Sequence, residues 1–115
     1  MTNQGPWKVV LAGQARSDFD SIVEWTRNAF GPMQASQYAE KLSLRVRRLG
    51  KEGTRIPTLK RRDDLKPDIV SWHMCHAGLK GSHILFLCFS EADGEPVVTL
   101  LRILHERMDP TYHLE

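Results

Sequence analysis

A chain of 115 residues with 41% hydrophobic and 26% charged side chains has the composition of one ordinary globular domain, and it is too short to build separate cofactor and substrate domains. A formal charge of +2 is too small for nucleic-acid binding by bulk charge. No run approaches the ~20 apolar residues that span a bilayer, and MTNQGPWKVVLAGQAR lacks the charged start and apolar run of a signal peptide, so a single domain over residues 1–115 is expected in the cytoplasm.

The first element is a strand, Trp7 to Leu11 (WKVVL), ending at Ala12-Gly13. A helix follows, for which Ser17 and Asp20 form a capping pair and Asp18 and Asp20 suit the positive end of the helix dipole. Phe19, Ile22, Val23, Thr26 and Phe30 fall at helical spacing. Gly31-Pro32 ends this helix and starts the next with almost no loop, so the pair must fold back as a hairpin. The second helix runs to about Gly50 and buries Ala35, Tyr38, Ala39, Leu42, Val46 and Leu49, leaving Lys41, Arg45 and Arg48 on or beside the solvent side. From Lys51 to Pro67 no periodicity is usable, and a long irregular connection is expected. Three β-rich runs close the chain: Ile69 to His76, His83 to Ser90 and Val97 to Leu104, the last two joined across an Asp93-Gly94 hairpin signal. HILFLCF is apolar at nearly every position, as in a central strand covered on both faces. The order β-α-α-β-β-β predicts a two-layer α+β domain with an antiparallel three-strand meander.

Charge is distributed unevenly. Between Lys41 and Lys66 lie ten basic and three acidic residues, a local +7 that leaves −5 for the remainder. Such a belt can meet an acidic partner segment, or it can be a solvated surface. His73, Cys75 and His76 are crowded enough to raise a metal site. In a strand His73 and Cys75 share one face and His76 takes the other, so the three cannot converge on one ion. Cys75 and Cys88 are expected as reduced core thiols. AGLKGS lacks the spacing of a phosphate-binding loop and is followed by no helix. No metal or other cofactor is expected.

The richest segment is the last strand and tail, RILHERMD followed by YHL. It resembles the C-terminal signature of ParE-type toxins in the RelE/ParE superfamily of bacterial toxin-antitoxin systems. The strand-helix-helix start, FGPMQASQYAEKL at the second helix, HILFLCF and RILHERMD cover most of the chain in the family's order. Lys51 to Lys80 is longer and more irregular than the family pattern. The resemblance implies a RelE/ParE-like fold and a toxin neutralised by a ParD-like antitoxin in a hetero-oligomeric complex. An antitoxin segment could lie across the helical hairpin and match charge with the basic belt, for which Lys41, Arg45, Arg48 and Arg55 are the candidate contacts.

Two biochemistries compete within that superfamily. RelE-like members cut messenger RNA on the ribosome, whereas ParE-like members inhibit DNA gyrase and carry no catalytic residue. RNA cleavage needs a base for the 2′-hydroxyl, cations for the phosphorane charge and an acid for the leaving oxygen. Arg102, His105, Arg107, Tyr112 and His113 are the only set here that could supply them. The alternative is that Arg102 pairs with a helix carboxylate, His105 ends the strand in a hydrogen bond, and Tyr112 and Leu114 pin the tail. RILHERMD has the ParE form and +2 is low for work inside ribosomal RNA, so gyrase is the expected target, with Arg102, His105, Arg107 and Met108 as candidate contacts. No sequence-specific nucleic-acid binding by this chain alone is expected. An inactive module that sequesters antitoxin is a third reading.

Overall fold

Two antiparallel helices lie across one face of a five-stranded sheet in the computed structural model, which describes residues 6–74 and 83–114. The strands are β1 (Lys8–Leu11), β2 (Lys60–Arg61), β3 (Val70–His73), β4 (His83–Ala92) and β5 (Glu95–His105); the helices are α1 (Gly13–Phe30) and α2 (Pro32–Glu52). The sheet order is β1-β5-β4-β3-β2. β1 runs parallel to β5, and the other neighbours are antiparallel. The α+β class and the β3-β4-β5 meander are as the pattern predicts. The unpredicted strand β2 lies in the segment read as irregular, because two residues are too few to show alternation.

The chain passes from β1 into α1 without a loop. Ala12 N–H donates to Leu100 O at 2.9 Å, continuing the β1–β5 ladder, and the helix starts on the next residue with no side-chain cap. The Ser17–Asp20 capping pair is therefore corrected: both residues lie inside α1. Exit from the sheet sets the start of this helix, which leaves Asp18 available for a tertiary contact. At its far end Gly31 and Pro32 join the helices as expected. The β4–β5 turn is tighter than the sequence indicates. Ala92 pairs with Glu95, so only Asp93 and Gly94 form it, both at positive φ (54° and 81°) as a type I′ hairpin requires. The strand expected from Ile69 to His76 is Val70–His73, and Cys75 and His76 lie outside the described residues.

The sheet is covered on both sides. Beneath the helices Leu42, Leu49, Trp72, Leu85, Leu87, Val98 and Leu100 form the main core, each fully buried, and each such side chain contributes about 1.5–3 kcal/mol of transfer free energy. Trp7 closes its end near the α2 terminus, its backbone N–H donating to Gly50 O at 3.0 Å. Its indole lies over Gly53, where any Cβ would fall inside the ring. On the opposite face Ile69, Phe86, Leu104 and Leu114 form a smaller cluster under residues 62–69 and the C-terminal tail. β4 thus has Leu85 and Leu87 on one side and Phe86 on the other, the doubly covered central strand that its continuous apolar run predicts.

One predicted surface residue belongs to the interior. Arg45 is 2% exposed, lies 4.4 Å over the Trp72 ring, and donates from Nη1 to His73 O (3.1 Å) and from Nη2 to Met74 O (2.7 Å). Its expected place on or beside the solvent side is thus corrected: Arg45 is a buried cation holding the end of β3. The guanidinium can occupy an apolar face because its plane stacks on Trp72 while its edge satisfies backbone carbonyls.

Candidate functional site

The C-terminal signature is bent by a β-bulge. Leu87 pairs with Leu100 but Phe86 pairs with Arg102, so Leu101 is an extra residue in β5. β1 has ended by this point, and the free edge of β5 is taken over by Asp18 of α1. Its Oδ2 accepts from Ile103 N–H (2.9 Å) and from Arg102 Nε (2.7 Å), while Oδ1 accepts from Arg102 Nη2 (2.9 Å). Arg102 Nη1 also donates to His113 O (3.1 Å) and Gln14 Oε1 (3.5 Å). This fork joins helix, strand and tail, and the hydrogen bond from Asp18 raises the Arg102 pKa further above its already high range. The carboxylate partner weighed for Arg102 is therefore present.

One turn further along α1 the strand ends meet it in a different environment. His83 and His105, paired across β4 and β5, contact edge-to-face with ring centroids 5.4 Å apart. With Ser21, Ile22 and Trp25 they line a mainly apolar cavity of about 300 Å³. His83 Nδ1 and Tyr38 Oη are 2.7 Å apart. Burial, aided by neighbouring His105, lowers the His83 pKa to about 4, and burial pushes the Tyr38 phenol up to about 12. Both groups are neutral at physiological pH. His105 Nδ1 accepts from Arg107 N–H at 3.1 Å, and His105 O accepts from Met108 N–H, which folds residues 105–108 into a tight turn. Beside it His73 Nε2 lies 3.6 Å from Glu106 Oε2.

The remaining sequence-named residues separate. Arg107 and Met108 are exposed on the turn, Tyr112 is 77% exposed, and Leu114 is buried against Phe86, so the tail is pinned by Leu114 and by His113 O but not by the Tyr112 ring. On the basic belt Lys41 is half-buried, Arg48 pairs with Glu52 at 2.7 Å, and exposed Arg55 donates to Lys51 O. Among the described residues no three His, Cys, Asp or Glu side chains are grouped to hold a metal.

Residues 9–110 match the family described as "ParE toxin of type II toxin-antitoxin system, parDE". The chain belongs to the ParE toxin family. The fold agrees: a solved structure described as "Chromosomal ParDE TA system from P. aeruginosa" superposes with a TM-score of 0.66 at 15% identity, over 87% of this chain and 96% of that one. No curated protein matches the chain.

In this ParE toxin the signature residues do structural work first. Arg102 is spent on Asp18, Gln14 and the tail, and His105 shapes the turn that displays Arg107 and Met108. Sequence reasoning missed Tyr38 and His83 as a site and treated Asp18 only as a helix-dipole charge. Tyr38 and His83 are 45 residues apart and meet only through the β4 register. Trp25 carried a signal that could have been used: a Trp outside the helix's apolar repeat marks an exposed anchor.

Proposed function

We propose that this ParE toxin arrests growth by binding and inhibiting DNA gyrase in the cytoplasm, and that a ParD-like antitoxin neutralises it in a hetero-oligomeric complex. The carrying observation is the state of Arg102. Nε, Nη1 and Nη2 are each engaged by protein acceptors, so a phosphate would have to displace the Asp18 carboxylate to use this cation. His105 has one ring nitrogen committed to the Arg107 backbone, and the Tyr112 side chain is 77% exposed on the tail. What is presented outward is the Arg107-Met108 turn, a cationic and apolar pair suited to protein contact.

Inducible expression followed by pulse labelling, with purified gyrase supercoiling in parallel, tests this. DNA synthesis is expected to fall before protein synthesis, with gyrase inhibited or left on cleaved DNA. Arg107→Ala with Met108→Ala is expected to weaken inhibition about tenfold or more at unchanged fold. Early arrest of translation with cut messages on ribosomes would overturn the proposal.

A further inference from the structure

The signature ends in two successive turns built the same way from different side chains. In residues 105–108, His105 O accepts from Met108 N–H at 2.9 Å and His105 Nδ1 accepts from Arg107 N–H at 3.1 Å. In residues 109–112, Asp109 O accepts from Tyr112 N–H at 3.3 Å and Asp109 Oδ1 accepts from Thr111 N–H at 3.0 Å. Each turn is closed twice from its first residue, by the backbone carbonyl and by a side-chain acceptor that takes the N–H two residues on. That second bond is the ordinary use of Asp and Asn at the start of a turn. His105 stands in for them with a ring nitrogen.

The exchange changes the chemistry of the first turn. Hydrogen bonds from the Thr111 hydroxyl and N–H hold the Asp109 carboxyl below the usual carboxylate range, so its oxygen accepts throughout the neutral region. An imidazole accepts at Nδ1 only while that nitrogen carries no proton, so the bond to Arg107 assigns the neutral tautomer protonated at Nε2. The imidazolium has donors alone, and protonation sets an N–H of His105 against the N–H of Arg107. Met108 N–H keeps its carbonyl acceptor in either state, so the turn loosens at Arg107.

The surroundings of His105 isolate this event. From β4, His83 meets its ring edge-to-face at 5.4 Å, and from α2 the Tyr38 phenol lies 2.7 Å from His83 Nδ1. With pKa values of about 4 and about 12, these two groups keep one charge state across the range in which histidine switches. α1 faces His105 with Ser21, Ile22 and Trp25, none of which titrates. Asp18, a turn earlier, is bound to Arg102 and Ile103 N–H, and Asp20 and Glu24 lie with Trp25 on the outer side of the helix. From β3, His73 lies 3.6 Å from Glu106, which with Arg107 supplies the charges of the turn itself.

We propose that His105 is the positioning residue of the target-contact turn and works only as a neutral ring, so that its protonation releases Arg107 and Met108 from the geometry in which they meet the target. The inference rests on the reading that this turn contacts gyrase. His105 acts through the Arg107 backbone, and any side chain that accepts from the same N–H without titrating should replace it.

The test pairs a structural readout with a binding one on the full-length toxin. In nitrogen-labelled protein at about pH 8 the His105 ring is expected as the Nε2–H tautomer. On acidification the Arg107 amide resonance should move with the same midpoint as the His105 ring, while the Thr111 amide stays in place. Affinity for purified gyrase is expected to fall at least about fivefold between about pH 8 and about pH 6, the effect of one lost turn-closing hydrogen bond. His105→Asn, whose Oδ1 can accept as Asp109 does, should bind within about twofold of wild type at the higher pH and show no such fall. It also corrects for any pH dependence of gyrase itself. His105→Leu, which lacks an acceptor, should bind about fivefold more weakly at the higher pH, and His73→Gln should keep the wild-type profile. The proposal is overturned by folded His105→Asn binding no better than His105→Leu, or by a fall that wild type and His105→Asn share. An Arg107 amide indifferent to the His105 titration overturns it too, a result read on wild type alone and so independent of whether a variant folds. A toxin whose turn titrates as expected but which binds no gyrase would defeat the target assignment alone, since the amide series judges the turn by itself.

Discussion

The two faces of the sheet are held by different means. The helical face carries a continuous core from Ile22 to Leu49 against Trp72, Leu87 and Leu100, with Arg45 sealed into it. The opposite face buries a cluster of only Ile69, Phe86, Leu104 and Leu114, under a loop and a tail that have no regular structure of their own beyond short turns. Arg62 helps to close that side by lying 5.9 Å over the Phe86 ring while pairing with Asp64. The first face is built by periodic elements and depends on volume. The second depends on a few long-range ties, chief among them the Asp18–Arg102–His113 connection.

Substitutions should separate these regimes. The largest effect is expected on the helical face, where Arg45→Glu places a carboxylate against the carbonyls of His73 and Met74 and should cost about 3–5 kcal/mol, read by urea denaturation. An intact fold with loss of antitoxin affinity alone would restore Arg45 as a docking residue. At the border, Asp18→Ala removes the acceptor of two guanidinium bonds and of Ile103 N–H and should cost about 2–3 kcal/mol. A double-mutant cycle with Arg102→Ala should show strong non-additivity, and additive losses would deny the coupling.

On the far face Leu114→Ala should cost about 2 kcal/mol, the low end for a buried leucine because a tail can relax around the gap. Hydrogen exchange should then quicken in residues 109–114 first, leaving β4 protected. The smallest effect concerns pH. A histidine whose folded pKa is lowered from 6.5 to about 4 binds its proton more readily when unfolded, so stability is lost as pH falls through this window. The loss is on the order of 1–2 kcal/mol, discounted for screening of a part-buried ring. His83→Asn should flatten that part of the profile relative to wild type, and an unchanged profile would remove His83 as its source.

Much of this molecule is legible in one dimension. The helical hairpin follows from apolar spacing and Gly31-Pro32, the last hairpin from Asp93-Gly94, and the central position of β4 from its unbroken apolar run. The misreadings share a cause. Ser17 and Asp20 have capping chemistry, yet ladder bonding at Ala12 starts the helix a turn earlier. Arg45 sits on the same sequence footing as Arg48, and both guanidinium groups reach the Trp72 ring, but Arg45 is sealed in by two backbone carbonyls while Arg48 pairs with Glu52 nearer the surface. β2 is too short to have a period at all.

Local preference therefore determined the helices, the turns, the α+β class and the signature by which the family is recognised, because those depend on residues within a few positions of one another. Tertiary structure alone decided that Arg102 is bound to Asp18, that Arg45 is interior, and that Tyr38, His83 and His105 meet beside Trp25. Those contacts join residues up to 84 positions apart, and their geometry exists only once strand register and the β5 bulge have aimed the side chains.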